Sequence, residues 1–393
     1  MPAICLYFRA HQSVALKKIS FFEFGQDPDL IDHPQNYKNL HKRLNQLYIP
    51  AFSTLRAMIS NHRGAFHLSF SMSGILLEQI HKYFPHHYTQ LVEFMQLKEI
   101  EVIASTFYHS CASACSLNEF RMQLILQLKK ISEITPKRSN YFCNADLSYH
   151  SAMGETIYGL GLKGVFFRPR EKKNTDDDSI YSIYHDPGFK NLKLIPADEK
   201  FQEAVRKGPF QKSSEAKALS VSMVSDIIEH PASLMVFPID LDDPAIPVTG
   251  IKSRLNFIKQ FVELSLATEK ITFRNPSQFL EGNIDTKKLF IRNPVHQKID
   301  PSGYDSVLRK EALRYLYSLE QKIKTTNDRH LLHLWRILQS HDHLKKLSRE
   351  RSQEKKRTTI QLEAPSPHEA YLDFMNALSA LDIYAQKKIE QVS

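Results

Sequence analysis

The sequence predicts an α/β fold with a parallel β-sheet, followed by a helical region. Three observations lead to this prediction. Short apolar runs alternate with segments of helical periodicity, one repeat every 30 to 50 residues or so, which is typical of βαβ units. Polar residues collect directly after the apolar runs, as they do at the carboxyl ends of barrel strands. After about residue 300 the apolar residues follow helical spacing alone.

Eight apolar runs are predicted strands. They cover Ile4–Arg9, Phe66–Ser71, Ile100–Ser105, Tyr141–Asn144, Val165–Phe167, Leu192–Ile195, Leu234–Ile239 and Ile271–Phe273. The pattern fades between residues 167 and 232, where Arg168–Asp178 is charged and Phe201–Lys217 is polar. We expect long surface insertions in that region. A barrel explains the polar strand ends better than an open doubly wound sheet, although periodicity does not distinguish the two.

The predicted helices are clearest near the C-terminus. Five apolar residues recur on one helical face, namely Leu308, Ala312, Leu316, Leu319 and Ile323. Leu331–Leu338 continues in a second helix, and Ser366–Glu369 has the composition of a capping box with proline at the first helical position. The sequence therefore predicts a barrel domain over residues 1–290 and a helical domain over residues 300–393.

Composition bounds the class of protein. The 393 residues are 42% apolar, which is enough for a sizeable core, and Lys plus Arg exceed Asp plus Glu by 52 − 43 = 9. Such a positive charge suits an anionic partner. Much of the excess falls in Lys345–Arg357, however, which resembles a solvated surface more than a binding stripe, so a nucleic acid partner is not expected.

The sequence also indicates a compartment. It has no basic leader followed by an apolar region and no apolar run of about 20 residues, so we expect a cytoplasmic protein without membrane attachment. The four cysteines are Cys5, Cys111, Cys115 and Cys143. Their spacing does not match a structural zinc site, and reduced, packed thiols are the expected state.

Candidate site residues follow the predicted strands. They are His11, Gln12, His109, Asn144, Asp146, Asp240 and Asp242. Asp146 alone could be a helix N-cap, but Asp240 and Asp242 follow a second strand in the same way. Two carboxylates facing one cleft are the minimum equipment for glycoside hydrolysis, one as nucleophile or base and the other as proton donor.

A metal site is an alternative reading of the same side chains. His11, His109, Asp146 and Asp240 are ligand types that could converge on an ion. No His-Glu-x-x-His cluster supports it, and no phosphate-binding glycine loop is present in the sequence.

Several motifs resemble, in order, those of glycoside hydrolase family 57, in its α-amylase-like branch. They are Ile4–Gln12, Phe70–Gly74 with Glu78 and Gln79, Phe107–Ser110, Asn144–Asp146, Leu334–His343 and Phe374–Leu378. The resemblance implies an incomplete (β/α)7 TIM-like barrel followed by a helical domain. It also implies retaining action on α-glucans or maltooligosaccharides, without a metal or organic cofactor.

The resemblance also implies roles for individual residues. The family nucleophile, a glutamate, matches Asp146, and the family acid/base matches Asp240. Substrate-binding positions match His11, Gln12, Glu78, His109, Asn144, Asp242, Trp335 and Asp342. Asp242 stands where the family has glutamate, and Ser13 stands where it usually has proline.

These departures leave alternatives to an active hydrolase open. Aspartate is one methylene shorter than glutamate, and a misplacement of roughly 1 Å can cost about 100-fold in rate. A catalytically silent relative that binds an oligosaccharide is therefore the main alternative. A basic nucleic-acid-binding or scaffold protein on the same fold is a further one.

Overall fold

Ten strands are present in the computed structural model, which describes residues 1–169, 182–206, 213–229, 234–243, 250–281, 284–292, 307–347 and 366–391. Most of the two charged segments named above, residues 170–178 and 348–357, lies outside these ranges. The strands are β1 (Ala3–Ala10), β2 (Leu68–Met72), β3 (Ile100–Val102), β4 (Tyr141–Cys143), β5 (Gly164–Phe167), β6 (Tyr184–Asp186), β7 (Phe189–Pro196), β8 (Leu234–Asp240), β9 (Thr272–Phe273) and β10 (Lys287–Lys288).

Seven of these strands form a closed parallel ring. β1 pairs with β2 and β8, β2 with β3, β4 with β5, and β5 with β7. The parallel bridge Ala104 to Phe142 joins β3 to β4, and the bridge Ala197 to Val236 joins β7 to β8. The order around the ring is therefore β1, β2, β3, β4, β5, β7, β8. The predicted α/β barrel is confirmed, and all eight predicted strands are present.

The remaining strands are short additions. β9 pairs in parallel with the first residues of β1, β6 is antiparallel to β7, and β10 pairs with β6. The helices cover Phe21–Glu23, His33–Arg43, Leu44–Tyr48, Ile49–Asn61, Gly74–Tyr83, Pro85–Met95, Ala112–Cys115, Leu117–Ile134, Ser151–Met153, Gly154–Gly159, Lys200–Arg206, Ser213–Glu229, Ile251–Ala267, Pro276–Phe279, Val307–Ser318, Glu320–Thr325, Arg329–Leu338, His341–Lys345 and Pro367–Glu390.

Two predictions about these elements were wrong. The expected surface insertions between residues 167 and 232 contain β6 and the helices Lys200–Arg206 and Ser213–Glu229. The single helix expected from Leu308 to Ile323 is two helices with a break at Leu319, where φ is −78° and ψ is −11°. These angles are close enough to helical that the apolar spacing continues through the break, so the spacing did not reveal it.

The barrel interior is built by side chains that alternate along each strand. Cys5 and Tyr7 of β1 pack with Tyr141 and Cys143 of β4, and the rings of Tyr7 and Phe166 lie 5.0 Å apart. Successive side chains of a strand point to opposite faces, so Arg9 follows Cys5 and Tyr7 on the interior face. It is the charged residue at the carboxyl end of that face.

The chain divides into two compact units. The first contains residues 1–12, 37–105 and 124–291, and includes the barrel. The second contains residues 13–36, 106–123 and 292–393. This division differs from the predicted one because the segments 13–36 and 106–123 group with the C-terminal residues.

The second unit is a helical core. Trp335 is fully buried there, and its indole N–H donates to the carbonyl of Leu316 at 2.8 Å. Ser366 caps the helix Pro367–Glu390 by accepting from the backbone N–H of Glu369, which confirms the predicted capping box. In the described ranges, no helix combines the length and the apolar character needed to cross a membrane.

Candidate active site at the carboxyl ends of the barrel strands

Polar side chains of the first unit follow the carboxyl ends of β1, β2, β4 and β8. The carboxyl ends of parallel barrel strands open at the same face, where barrel enzymes hold their catalytic groups. We call the carboxyl-end face of this barrel the mouth. Arg9 and His11 come from β1, Ser73 follows β2, Asp146 follows β4, and Asp240 ends β8.

Arg9 and Asp240 form a two-point ion pair at the mouth. The two residues are partners in the register of β1 and β8. Arg9 Nε donates to Asp240 Oδ1 at 2.5 Å and Arg9 Nη2 donates to Asp240 Oδ2 at 2.7 Å. Burial alone would lower the pKa of Arg9, but the charge of Asp240 raises it above its usual range. Arg9 therefore keeps its charge beside the Asp240 carboxyl group.

The same guanidinium contacts the end of β4. Arg9 Nη1 donates to the carbonyls of Asn144 at 3.5 Å and Ala145 at 3.3 Å. These carbonyls immediately precede Asp146. Arg9 therefore contacts both chain segments that carry a predicted catalytic carboxylate.

Asp146 lies in a tight, polar turn. Its Oδ1 accepts from the backbone N–H of Ser148 at 3.1 Å and from the Ser148 hydroxyl at 2.5 Å. Asn144 Nδ2 donates to the same hydroxyl oxygen at 3.0 Å. The following residue, Leu147, is buried with φ of +58°, a left-handed conformation that is strained for a side chain of this kind. Strain of this type persists where surrounding contacts hold it, and it clusters at functional sites.

The side chain of Asp242 is 13% exposed and accepts from three donors. Its carboxylate accepts from Arg43 Nη1 at 2.6 Å, from the Tyr48 hydroxyl at 2.5 Å and from the backbone N–H of His11 at 2.7 Å. Burial raises the pKa of Asp242 to about 6, although the charge of Arg43 and the three hydrogen bonds oppose the rise. Asp242 fastens the chain after β1 to the chain after β8.

A π-helical segment supplies two of these donors. The segment is Leu44–Tyr48, with Arg43 directly before it and Tyr48 as its last residue, and the N–H of Ile49 bonds to the carbonyl of Leu44. In an α-helix, side chains five residues apart project roughly 140° from each other. The wider π turn brings them nearer to one side, and π segments are frequent at functional sites. Here both side chains reach the same carboxylate.

His11 and Gln12 are both buried at the mouth. His11 Nδ1 lies 2.7 Å from the hydroxyl oxygen of Ser73. The carbonyl of Gln12 accepts from Gln79 Nε2 at 3.4 Å. Within the part of the chain that the structure describes, neither amide atom of Gln12 has a hydrogen-bond partner. A buried amide in this condition is costly unless a further group bonds to it.

Glu78 is not brought to these residues by any described contact. It is exposed on the helix Gly74–Tyr83. Its charged neighbours include Lys130 and Glu133, and loss of water around the carboxyl group raises its pKa. The adjacent Gln79 is the residue that faces inward. We therefore replace Glu78 by Gln79 in the candidate site.

Three predicted site residues belong to the second unit. His109 has a left-handed φ of +53°, and its carbonyl accepts from the N–H of His341 at 2.8 Å. Asp342 is half-buried in the first turn of the helix His341–Lys345. Trp335 is fully buried with its N–H bonded within the unit, so its indole offers no surface to a sugar and we do not retain it.

Two of the four residues proposed for a metal set make other contacts through the atoms that would bind an ion. Asp240 is bonded through both oxygens to Arg9, and His11 Nδ1 contacts Ser73. The arrangement suits carboxylate chemistry on a polar, uncharged ligand.

Arg43 and Tyr48 were missed by the sequence analysis, and Arg9 was seen only as part of a strand. A charge at the end of an otherwise apolar run was the available signal for Arg9.

Comparisons with known proteins bear on the family and the fold. The model of glycosyl hydrolase family 57 matches residues 5–294. A protein of Methanocaldococcus jannaschii named "Putative alpha-amylase" is 25% identical over 175 residues, which covers 43% of this chain and 36% of that protein. The chain therefore spans little more than a third of the length of this curated relative.

Two solved structures share the fold over most of their length. The GH57-type branching enzyme of Pyrococcus horikoshii has a TM-score of 0.67 at 11% identity, covering 96% of this chain and 88% of that one. The alpha-amylase AmyC of Thermotoga maritima has a TM-score of 0.64 at 12% identity, covering 98% of this chain and 94% of that one. At these identities the likeness concerns the fold.

Proposed function

Because the chain belongs to glycosyl hydrolase family 57, we propose that it acts on an α-glucan or maltooligosaccharide at the mouth of its barrel, with Asp146 as nucleophile and Asp240 as acid/base. The observation that carries this proposal is the position of Arg9. Its guanidinium bonds to the Asp240 side chain and to the carbonyls of Asn144 and Ala145, next to Asp146. One guanidinium thus contacts the Asp240 side chain and the backbone next to Asp146.

The chemistry has two steps. In the first, a carboxylate oxygen of Asp146 attacks the anomeric carbon while the glycosidic bond breaks, and Asp240 gives a proton to the leaving oxygen. In the second, Asp240 takes a proton from water, which attacks the same carbon and releases Asp146. Retention requires the two carboxyl groups to stand about 5–5.5 Å apart.

Binding would use the polar groups around the carboxylates. The unpartnered amide of Gln12 can donate to one sugar hydroxyl and accept from another. His11 and Asn144 lie at the ends of β1 and β4 and complete the proposed contacts. We assign Asp242 a supporting role, since its carboxylate is already bonded to three donors.

A second candidate function is an α-glucan-binding protein without turnover. The ion pair with Arg9 favours it, because an arginine held at two points stabilises a charged carboxylate. A charged carboxylate can act as a base but has no proton to donate. Aspartate at position 146 favours it as well, because the family nucleophile is longer.

The test is a long incubation with maltoheptaose, with products read by mass and anomeric configuration. Asp146→Asn and Asp240→Asn are compared with the wild-type protein, and Asp285→Asn is the control because Asp285 is exposed on the same unit. Retained-configuration products that vanish in both site variants and persist in the control support the hydrolase. Binding without products in all four proteins supports the silent binder, and absence of both would refute the two candidates together.

A further inference from the structure

We propose that Arg9 is a positioning residue that holds Asp240 in its charged form, so that this protein cleaves glycosides whose leaving group needs no proton far better than it cleaves natural glucans. The inference rests on the proposed function, because it assumes that Asp146 attacks a sugar at the mouth. It goes further by naming Arg9 as the residue that limits protonation of the leaving group, and by naming substrates whose leaving group needs no proton.

Arg9 is held in place on several sides. Its three nitrogens are bonded to Asp240 and to the carbonyls of Asn144 and Ala145. The arginine side chain is 12% exposed, whereas that of Asp240 is 33% exposed. Arg9 therefore cannot move into water without breaking contacts on both β8 and β4.

If Asp240 were protonated, no negative charge would balance the positive charge of Arg9. A neutral acid would leave the guanidinium charge, which is largely removed from water, opposite an uncharged partner. The neighbouring Cys143 offers no replacement, because burial raises the pKa of its thiol to about 11. Asp240 is consequently held as a carboxylate, which suits the base of the second step and not the acid of the first.

The leaving group separates these two roles. In a natural glucan the departing oxygen must take a proton as its bond to the anomeric carbon breaks. In an α-maltosyl fluoride the carbon–fluorine bond breaks and fluoride departs as a stable anion with the bonding electrons, so no proton is needed. Asp146 forms the same ester in both cases. Water then attacks with Asp240 as base and yields free maltose.

The experiment compares turnover of α-maltosyl fluoride and maltoheptaose by the wild-type protein and by Arg9→Met. We expect the wild type to turn over the fluoride at least about 100-fold faster than maltoheptaose, whose slow cleavage a long incubation still detects. A general acid contributes about 100- to 10,000-fold. Freeing Asp240 should therefore raise the ratio of maltoheptaose to fluoride turnover by about 100-fold or more in Arg9→Met.

Two further variants keep the test decisive. Arg9→Lys retains a charge but not the two-point geometry, and should raise the ratio by about tenfold, in keeping with the partial loss of a bidentate contact. Arg56→Met removes an exposed arginine that pairs with Glu93 on the same unit, and should leave the ratio unchanged. If Arg9→Met does not fold, the wild-type ratio and Arg9→Lys still decide the matter.

The outcomes separate the inference from the proposed function. Fluoride release that depends on Asp146, with a ratio unaffected by Arg9, would overturn the role of Arg9 and leave the hydrolase standing. Equal turnover of both substrates by the wild type would also overturn it. Cleavage of neither substrate by any of the proteins would refute the hydrolase and, with it, this inference.

Discussion

Asp240 and Asp242 lie two residues apart at the end of the same strand, yet in their ion pairs the opposite partner is the less exposed one. In the pair Arg9–Asp240 the arginine is the hidden partner, with side-chain exposures of 12% and 33%. In the pair Arg43–Asp242 the aspartate is hidden, with exposures of 34% for Arg43 and 13% for Asp242. One pair offers a carboxylate at the mouth, and the other keeps its carboxylate inside.

The difference teaches that surroundings, and not residue type, decide what each aspartate does. Asp240 is bonded to Arg9 through both oxygens, and a third of its side chain is exposed. Asp242 is fixed by an arginine, a tyrosine and a backbone N–H, and has little surface left for one. We therefore assign chemistry to Asp240 and the joining of β1 to β8 to Asp242.

The largest expected effect on the free energy of unfolding comes from removing one partner of the pair Arg9–Asp240. Asp240→Ala leaves the hidden Arg9 without its carboxylate, and we expect it to lower the free energy of unfolding by about 3 to 4 kcal/mol. Arg9→Met leaves Asp240 open to hydration and should cost about 1 kcal/mol. Urea unfolding of both variants beside Asp285→Ala checks this, and equal costs or the reverse order would count against the asymmetry.

The second prediction concerns the pH dependence of the hidden aspartate. The pKa of Asp242 is about 6 in the folded protein and near 3.8 when unfolded, so the folded state binds more protons between these values. Stability contributed by this group is fully present below pH 3.8 and is lost as pH rises through about 6, by up to about 3 kcal/mol. From about pH 7 upward its contribution is constant.

Unfolding free energies at several pH values between 4 and 7 test this, with Asp242→Asn measured in parallel. The unfolding free energy of the wild type minus that of the variant should decrease as pH rises. The other titrating groups contribute equally to both proteins and cancel in this difference. A flat difference, or one that grows with pH, would show that Asp242 does not titrate in this window.

The smallest expected effect concerns one donor to the hidden aspartate. Tyr48→Phe removes the hydroxyl that bonds to Asp242 and should lower the free energy of unfolding by about 1.5 kcal/mol. This hydrogen bond lowers the pKa of Asp242, so the midpoint of its pH transition should move upward in the variant. Tyr37→Phe is the control, since Tyr37 is 48% exposed. An unchanged midpoint would contradict the assignment.

The strands and their polar ends could be predicted from the sequence because both depend on local patterns. The apolar run before Asp240 is a strand of the ring, and Asp146 lies directly after another. Apolar periodicity also placed the C-terminal helices, although it gave no sign of the break at Leu319.

The contacts that define the site could not be predicted in this way. Arg43 lies 199 residues from its partner Asp242, and nothing in the local pattern connects them. The choice between Glu78 and Gln79 depends on how the helix is turned against the barrel, which neighbouring strands decide. Trp335 resembled a sugar platform, but its ring fills the core of the second unit.

The central claim is that Asp240 faces an α-glucan at the mouth while Asp242 stays behind it. A crystal structure of the Asp146→Asn protein with maltoheptaose tests this most directly. We expect a glucosyl unit within hydrogen-bond distance of the Asp240 carboxylate, with Asp242 still bonded to Arg43 and Tyr48. A sugar bound away from the ends of β4 and β8, or one in contact with Asp242 after Arg43 has moved away, would contradict the account.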